Sequence, residues 1–133
     1  MRGVSCLLLL GVVVGGCAQS DDRAAVRSVT HAFLTDYAAH HGPAACAALS
    51  ADARAELVSS EGKRCARAIG ALQLDGGRIT KVDVRITNAK VDLSSGESVY
   101  LGKTANGWRL SAVGCKPKDG PPSQYPLQCE LQA

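Results

Sequence analysis

Aromatic side chains are scarce in this chain, five in 133 residues, and neither sign of charge dominates. Fifteen Lys and Arg stand against twelve Asp and Glu, for a formal net charge of +3, with no run of like charge longer than a pair. Nucleic-acid binders concentrate basic residues on one face and interleave aromatics for stacking, so this composition argues against a nucleic-acid partner. No GxSxG, HExxH or phosphate-cradling glycine loop is present. The cysteines nowhere have CxxC spacing, and two of the three histidines, His40 and His41, are adjacent and would diverge on a helix, so no zinc or other metal site is expected. Repeats and low-complexity stretches are missing as well. The chain has room for one domain and one core.

What is there begins with MRGVSCLLLLGVVVGGC, one arginine followed by an apolar run from Val4 to Val14. As a helix this run would cover about 16 Å, about half of a ~30 Å hydrocarbon core, which reads as a secretory signal rather than a membrane span. Val14-Gly15-Gly16-Cys17 resembles the lipobox of bacterial lipoproteins. That resemblance implies cleavage after Gly16, a diacylglycerol thioether on Cys17 and a new amino group open to acylation, palmitate included. Two or three chains anchor stably, because each buried CH₂ contributes ~0.8 kcal/mol and one chain alone is marginal. Residues 1–16 are thus expected to be a signal peptide, 17–20 a lipidated tether reaching at most about 14 Å, and 21–133 a single domain. No other cofactor is expected.

With Cys6 in the signal and Cys17 lipidated, Cys46, Cys65, Cys115 and Cys129 remain. Four cysteines in a secreted chain imply two disulfides and allow three connectivities, of which the local pairing is the one expected. From Ser20, read as an N-cap, SDDRAAVRSVTHAFLTDYAAHHGP carries Asp21 and Asp22 where the helix dipole favours anions and stops at Gly42-Pro43. Val26, Val29, Phe33 and Tyr37 form its apolar stripe, while Arg23, Arg27 and Asp36 fall on the solvated side. Pro43 opens a second helix through AACAAL, Ser50 caps a third through ADARAELV, and KRCARAIGALQ places Cys65, Ile69 and Leu72 on one face.

After Asp75-Gly76-Gly77 the period becomes two. In RITKVDVRIT, Thr80, Val82, Val84 and Ile86 share a face opposite Lys81, Asp83 and Arg85. AKVDL continues the alternation through Ala89, Val91 and Leu93 to a Ser94-Ser95-Gly96 turn. ESVYLGKT and GWRLSAV follow around Asn106-Gly107, a strong hairpin signal. The expected fold is α+β, with N-terminal helices packed on a curved antiparallel meander of about four strands. The tail KPKDGPPSQYPLQCELQA is too rich in Pro and Gly for regular structure.

Helices followed by a meander ending in GWRL resemble the nuclear transport factor 2-like superfamily, a cone of sheet wrapped round an N-terminal helix. More narrowly, the lipobox, AACAALSADARAEL around Cys46, Cys65, GWRLSAVGCKP and YPLQCEL are similar to small actinobacterial lipoproteins of that superfamily. The resemblance implies Cys46–Cys65 and Cys115–Cys129 bridges. Catalytic relatives use a tyrosine with an aspartate or histidine deep in the cone. Of the corresponding candidates Tyr37, Tyr100, Asp83 and His31, the last two fall on polar faces, so no catalytic residue is assigned and an enzyme is not expected. The expectation is a noncatalytic binding or accessory module on the outer face of the cell membrane, acting on a membrane or envelope protein. The alternative is a carrier whose cone holds a small apolar ligand among Phe33, Tyr37, Val82, Val84, Val91 and Trp108. An isomerase or cyclase ranks last.

Overall fold

The computed structural model describes residues 17–117 and 127–133. Helix α1 (Cys17–Ala38) presents the expected stripe, with Val26 and Phe33 fully buried and Val29, Leu34 and Tyr37 packed against the core. Cys17, Ala18 and Gln19, the first described residues, are helical and include no helix breaker, so Ser20 lies inside the helix rather than capping it. The helix ends with His40 in the left-handed region, where the amides of Ala39 and His41 donate to Thr35 and Asp36 carbonyls at 3.0 and 2.8 Å.

Three short helices follow, α2 (Gly42–Ala48), α3 (Ala51–Glu61) and α4 (Cys65–Ala68), the last running into a 3₁₀ turn at Ile69–Ala71. Pro43 sits in the first turn of α2, and the Ser50 hydroxyl accepts the Ala53 N–H at 3.1 Å as the N-cap of α3. Gly62 closes α3 in the left-handed conformation, donating to Val58 O. At Gly42 a side chain is impossible, because a Cβ would stand 2.0 Å from the Ala66 carbonyl oxygen. This close approach of α2 and α4 is sealed by the Cys46–Cys65 disulfide.

The meander is antiparallel, β1 (Ile79–Val84), β2 (Asn88–Leu93), β3 (Ser98–Thr104) and β4 (Gly107–Pro117), paired in sequence order. Val82, Val91 and Val99 stand opposite one another across three strands, all buried, and Ala89, Leu93, Leu101 and Leu110 complete the sheet's inner face. Burying a side chain of this size stabilises by about 1.5–3 kcal/mol. Ile86 departs from the expected alternation. Arg85 N–H donates to Asn88 O at 2.7 Å and turns the chain, so β1 ends at Val84 and Ile86 stands 92% exposed at the tip. The tail departs from expectation too, adding β5 (Leu127–Gln128) and β6 (Leu131–Gln132), both antiparallel to β4. The Cys115–Cys129 disulfide holds that return in place; residues 118–126 of the tail lie outside the described residues.

Helix α1 therefore runs between two ends of the sheet. Near its start, Asp22 reaches Lys103 and Trp108 beside the β3–β4 turn, and Lys103 N–H donates to Thr87 O in the β1–β2 turn at 2.8 Å. Near its end, Tyr37 reaches Leu72 and Leu74, next to the β2–β3 turn.

Candidate functional site

An open groove of about 1150 Å³ lies between the outer face of α1 and residues 74–79. Small and aliphatic side chains make its floor, among them Ala24, Ala32, Leu34, Ala38, Leu74 and Ile79. Arg27, His31 and Arg78 also line it. Each is exposed, and among the described residues none of these three side chains makes a hydrogen bond or ion pair. Arg23, Arg27 and His31 recur at four-residue spacing, which puts them in one row along α1.

The wall opposite α1 is held from behind by Glu97. This side chain is 1% exposed, and its two carboxylate oxygens accept the backbone N–H groups of Asp75 and Gly76, each at 3.1 Å. Lys116 lies 3.7 Å from Glu97 and 2.5 Å from Asp75, and its hydrogen bond to Asp75 raises the Lys116 pKa. At the far end of the groove the Tyr37 hydroxyl donates to Leu72 O and accepts the Leu74 N–H at 3.4 Å. Of the polar side chains lining the groove, Tyr37 is hydrogen-bonded to backbone and Asp75 is paired with Lys116, whereas His31 shares its row on α1 with Arg23 and Arg27.

The six residues expected to line a pocket inside the cone are not gathered round a common cavity. Phe33, Val82, Val91 and Trp108 are buried core, Val84 is half-buried against that core, and only Tyr37 reaches the groove. Phe33 and Tyr37 stack at 6.3 Å between ring centroids. Asp83 is paired with Lys81 at 2.8 Å, which is the main reason its pKa is lowered. Tyr100 is half-buried on β3 opposite Ala112.

A second polar tie fixes the start of α1. Asp22 accepts from Lys103 Nζ at 2.8 Å and from Trp108 Nε1 at 3.0 Å, and the hydrogen bonds from Lys103 and then Trp108 hold its carboxyl below the usual value of 3.8. Lys103 also stands over the Trp108 ring at 5.7 Å, within cation–π range. Among the described residues no cluster of three or more His, Cys, Asp or Glu converges as for a metal ion, and no helix is long and apolar enough to cross a membrane.

Sequence reasoning missed Glu97 and the groove. A glutamate just after Ser-Ser-Gly reads as a solvated turn residue, and its burial depends on where residues 75 and 76 return. The four-residue spacing of Arg23, Arg27 and His31 was the available signal for the groove's cationic side. Comparison with protein-family models, with curated proteins and with solved structures finds no match to this chain.

Proposed function

We propose that this protein is an extracytoplasmic lipoprotein, anchored through Cys17 to the outer face of the cell membrane, whose domain is a noncatalytic binding module for a membrane or envelope partner. The Val14-Gly15-Gly16-Cys17 motif supports the anchor, and two disulfides suit an oxidising compartment. The order of helices and meander is consistent with the nuclear transport factor 2-like resemblance. The observation that carries the binding reading is the groove, in which Arg27, His31 and Arg78 stand without side-chain partners among the described residues, above an apolar floor, while Tyr37 and Asp75 are tied elsewhere.

Two measurements test this. Mass spectrometry of the N-terminal peptide should find Cys17 modified by diacylglycerol, and Cys17→Ser should leave an unprocessed chain; identical mass and detergent partitioning for the two would refute the anchor. A photoreactive residue at position 31 should crosslink one defined envelope protein, and the crosslink should vanish in Arg27→Glu/Arg78→Glu. A crosslink indifferent to those reversals would refute the groove as the binding surface.

The same groove favours a second reading, a carrier of one elongated anionic amphiphile. Its volume of about 1150 Å³ lies just above the ~300–1,000 Å³ typical of small-molecule sites, leaving room for an elongated ligand, and its floor is apolar beneath cationic side chains. Native mass spectrometry showing a co-purified lipid, lost in the same charge-reversed variant, would select the carrier over the accessory module.

A further inference from the structure

We propose that the end of the domain bearing the β1–β2 and β3–β4 turns rests on the lipid bilayer, with Ile86 inserted among the lipids as a second contact beside Cys17. This inference rests on the anchored-lipoprotein reading above. It concerns a different face from the groove.

The placement follows from a chain of contacts. Asp22 is bound to Lys103 and Trp108 at 2.8 and 3.0 Å, and the Lys103 amide donates to Thr87 O at 2.8 Å, one residue from Ile86. Both turns are therefore fastened to the early part of α1. Only five residues, about 7.5 Å of helical rise, separate Asp22 from Cys17. A lipid on Cys17 brings these turns to within reach of the headgroup region, where interfacial apolar groups sink about 5–10 Å.

Ile86 is what the inference explains. Turn tips favour Gly, Asn, Asp, Ser and Pro, yet this one places an isoleucine, 92% exposed, between Arg85 and Thr87. The other exposed large apolar residue, Val58, is 40% exposed and lies on α3. Arg85 is exposed and makes no side-chain hydrogen bond or ion pair among the described residues, and the exposed Arg23 on α1 is likewise unpaired. An exposed apolar tip beside the exposed Arg85 complements a bilayer with anionic lipid, the isoleucine reaching hydrocarbon and the guanidinium group the phosphates. A lipid anchor alone holds the protein at the membrane without fixing its tilt; the second contact fixes it, with the groove facing sideways along α1.

The test uses the full-length product reconstituted in vesicles of phosphatidylcholine with about one-third phosphatidylglycerol. An environment-sensitive fluorophore is placed at Thr87→Cys, or at Gln73→Cys near the opposite end, with the other mature cysteines bridged or lipidated. Quenching by lipid-borne nitroxides should be strong at position 87 and absent at 73. Ile86→Ser should cut the inserted-to-lifted ratio at position 87 about tenfold. Position 87 unquenched, or quenched equally with Ile86→Ser, in a protein that pellets with the vesicles and carries lipid on Cys17, would overturn this inference alone. An unmodified Cys17 with protein left in the supernatant would overturn the anchor and this inference together.

Discussion

Replacing Glu97 by glutamine should be the most damaging isosteric change in the domain. The carboxylate is 1% exposed and gives one oxygen to each of two backbone donors, Asp75 N–H and Gly76 N–H, both at 3.1 Å. A glutamine offers one oxygen, so its NH₂ must face the other N–H. One charge-assisted bond, about 1.5–3 kcal/mol, is lost and the second is weakened to a neutral one, while a part-buried donor is left unpaired, at the low end of about 1–3 kcal/mol. Allowing for overlap between these, the expected loss is about 3 kcal/mol, a large share of the ~5–15 kcal/mol that folded domains possess. In urea, with the disulfides intact and a slope of about 1.5 kcal/mol/M, the midpoint should fall by about 2 M with no change of slope. Amide hydrogen exchange should accelerate at residues 75 and 76 first. Lys116→Met is the control, since that ammonium is solvent-exposed and its removal should barely move the midpoint. If Glu97→Gln stays within about 0.5 kcal/mol of the parent and residues 75 and 76 keep their protection, the carboxylate does not hold the groove wall and the reasoning fails.

Three further outcomes are expected. Thr30 is fully buried with no hydrogen-bond partner for its hydroxyl among the described residues, so Thr30→Val should raise stability by about 1 kcal/mol in thermal unfolding; a lower melting temperature would show that the hydroxyl has a partner. Asp22 and Asp83 have pKa values lowered by Lys103 and Lys81 respectively, so their contribution is complete above the ordinary value of 3.8 and is lost as pH falls through the lower folded values. Urea midpoints should therefore drop on acidification below about pH 4, and Asp22→Asn should flatten that slope; an unchanged slope would remove Asp22 from the account. Cys46→Ala/Cys65→Ala opens a bridge between residues 19 apart and should cost roughly 3 kcal/mol by denaturation, whereas a change near zero would mean that α2 and α4 hold together without it.

The fold was largely legible because its cues are local. Alternation placed β1 and β2, Asn106-Gly107 placed the hairpin of β3 and β4, Ser50 marked the start of α3, and Gly42-Pro43 the end of one helix and the start of another. Where the reading departed from the structure, the deciding interaction was distant or was absent from the pattern. Ile86 continued the alternation of β1 but lost its strand to the turn at Arg85. The tail's Pro and Gly content hid two short strands that exist because Cys129 returns to Cys115. Of the residues expected to line a pocket, Phe33, Val82, Val91 and Trp108 are buried in the core, and Val84 and Tyr37 pack against it. Space for a ligand lies on the other side of α1, where no periodic apolar signal points.

Why that space stays open is a matter of how its walls are held. A groove between a helix and a loop would ordinarily close until side chains met, because burying its apolar floor is favourable. Here α1 is fastened at both ends by polar ties, Asp22 to Lys103 and Trp108 at one and Tyr37 to Leu72 and Leu74 at the other. The loop is fastened separately, through Glu97, to the β2–β3 turn. Collapse would have to break directional bonds at three places, and on the α1 side the small residues Ala24, Ala32 and Ala38 offer little area in return, which leaves the groove wide. A cleft kept open by bonds made elsewhere needs little reorganisation to receive a ligand, and the proposed binding role would draw on that preorganisation.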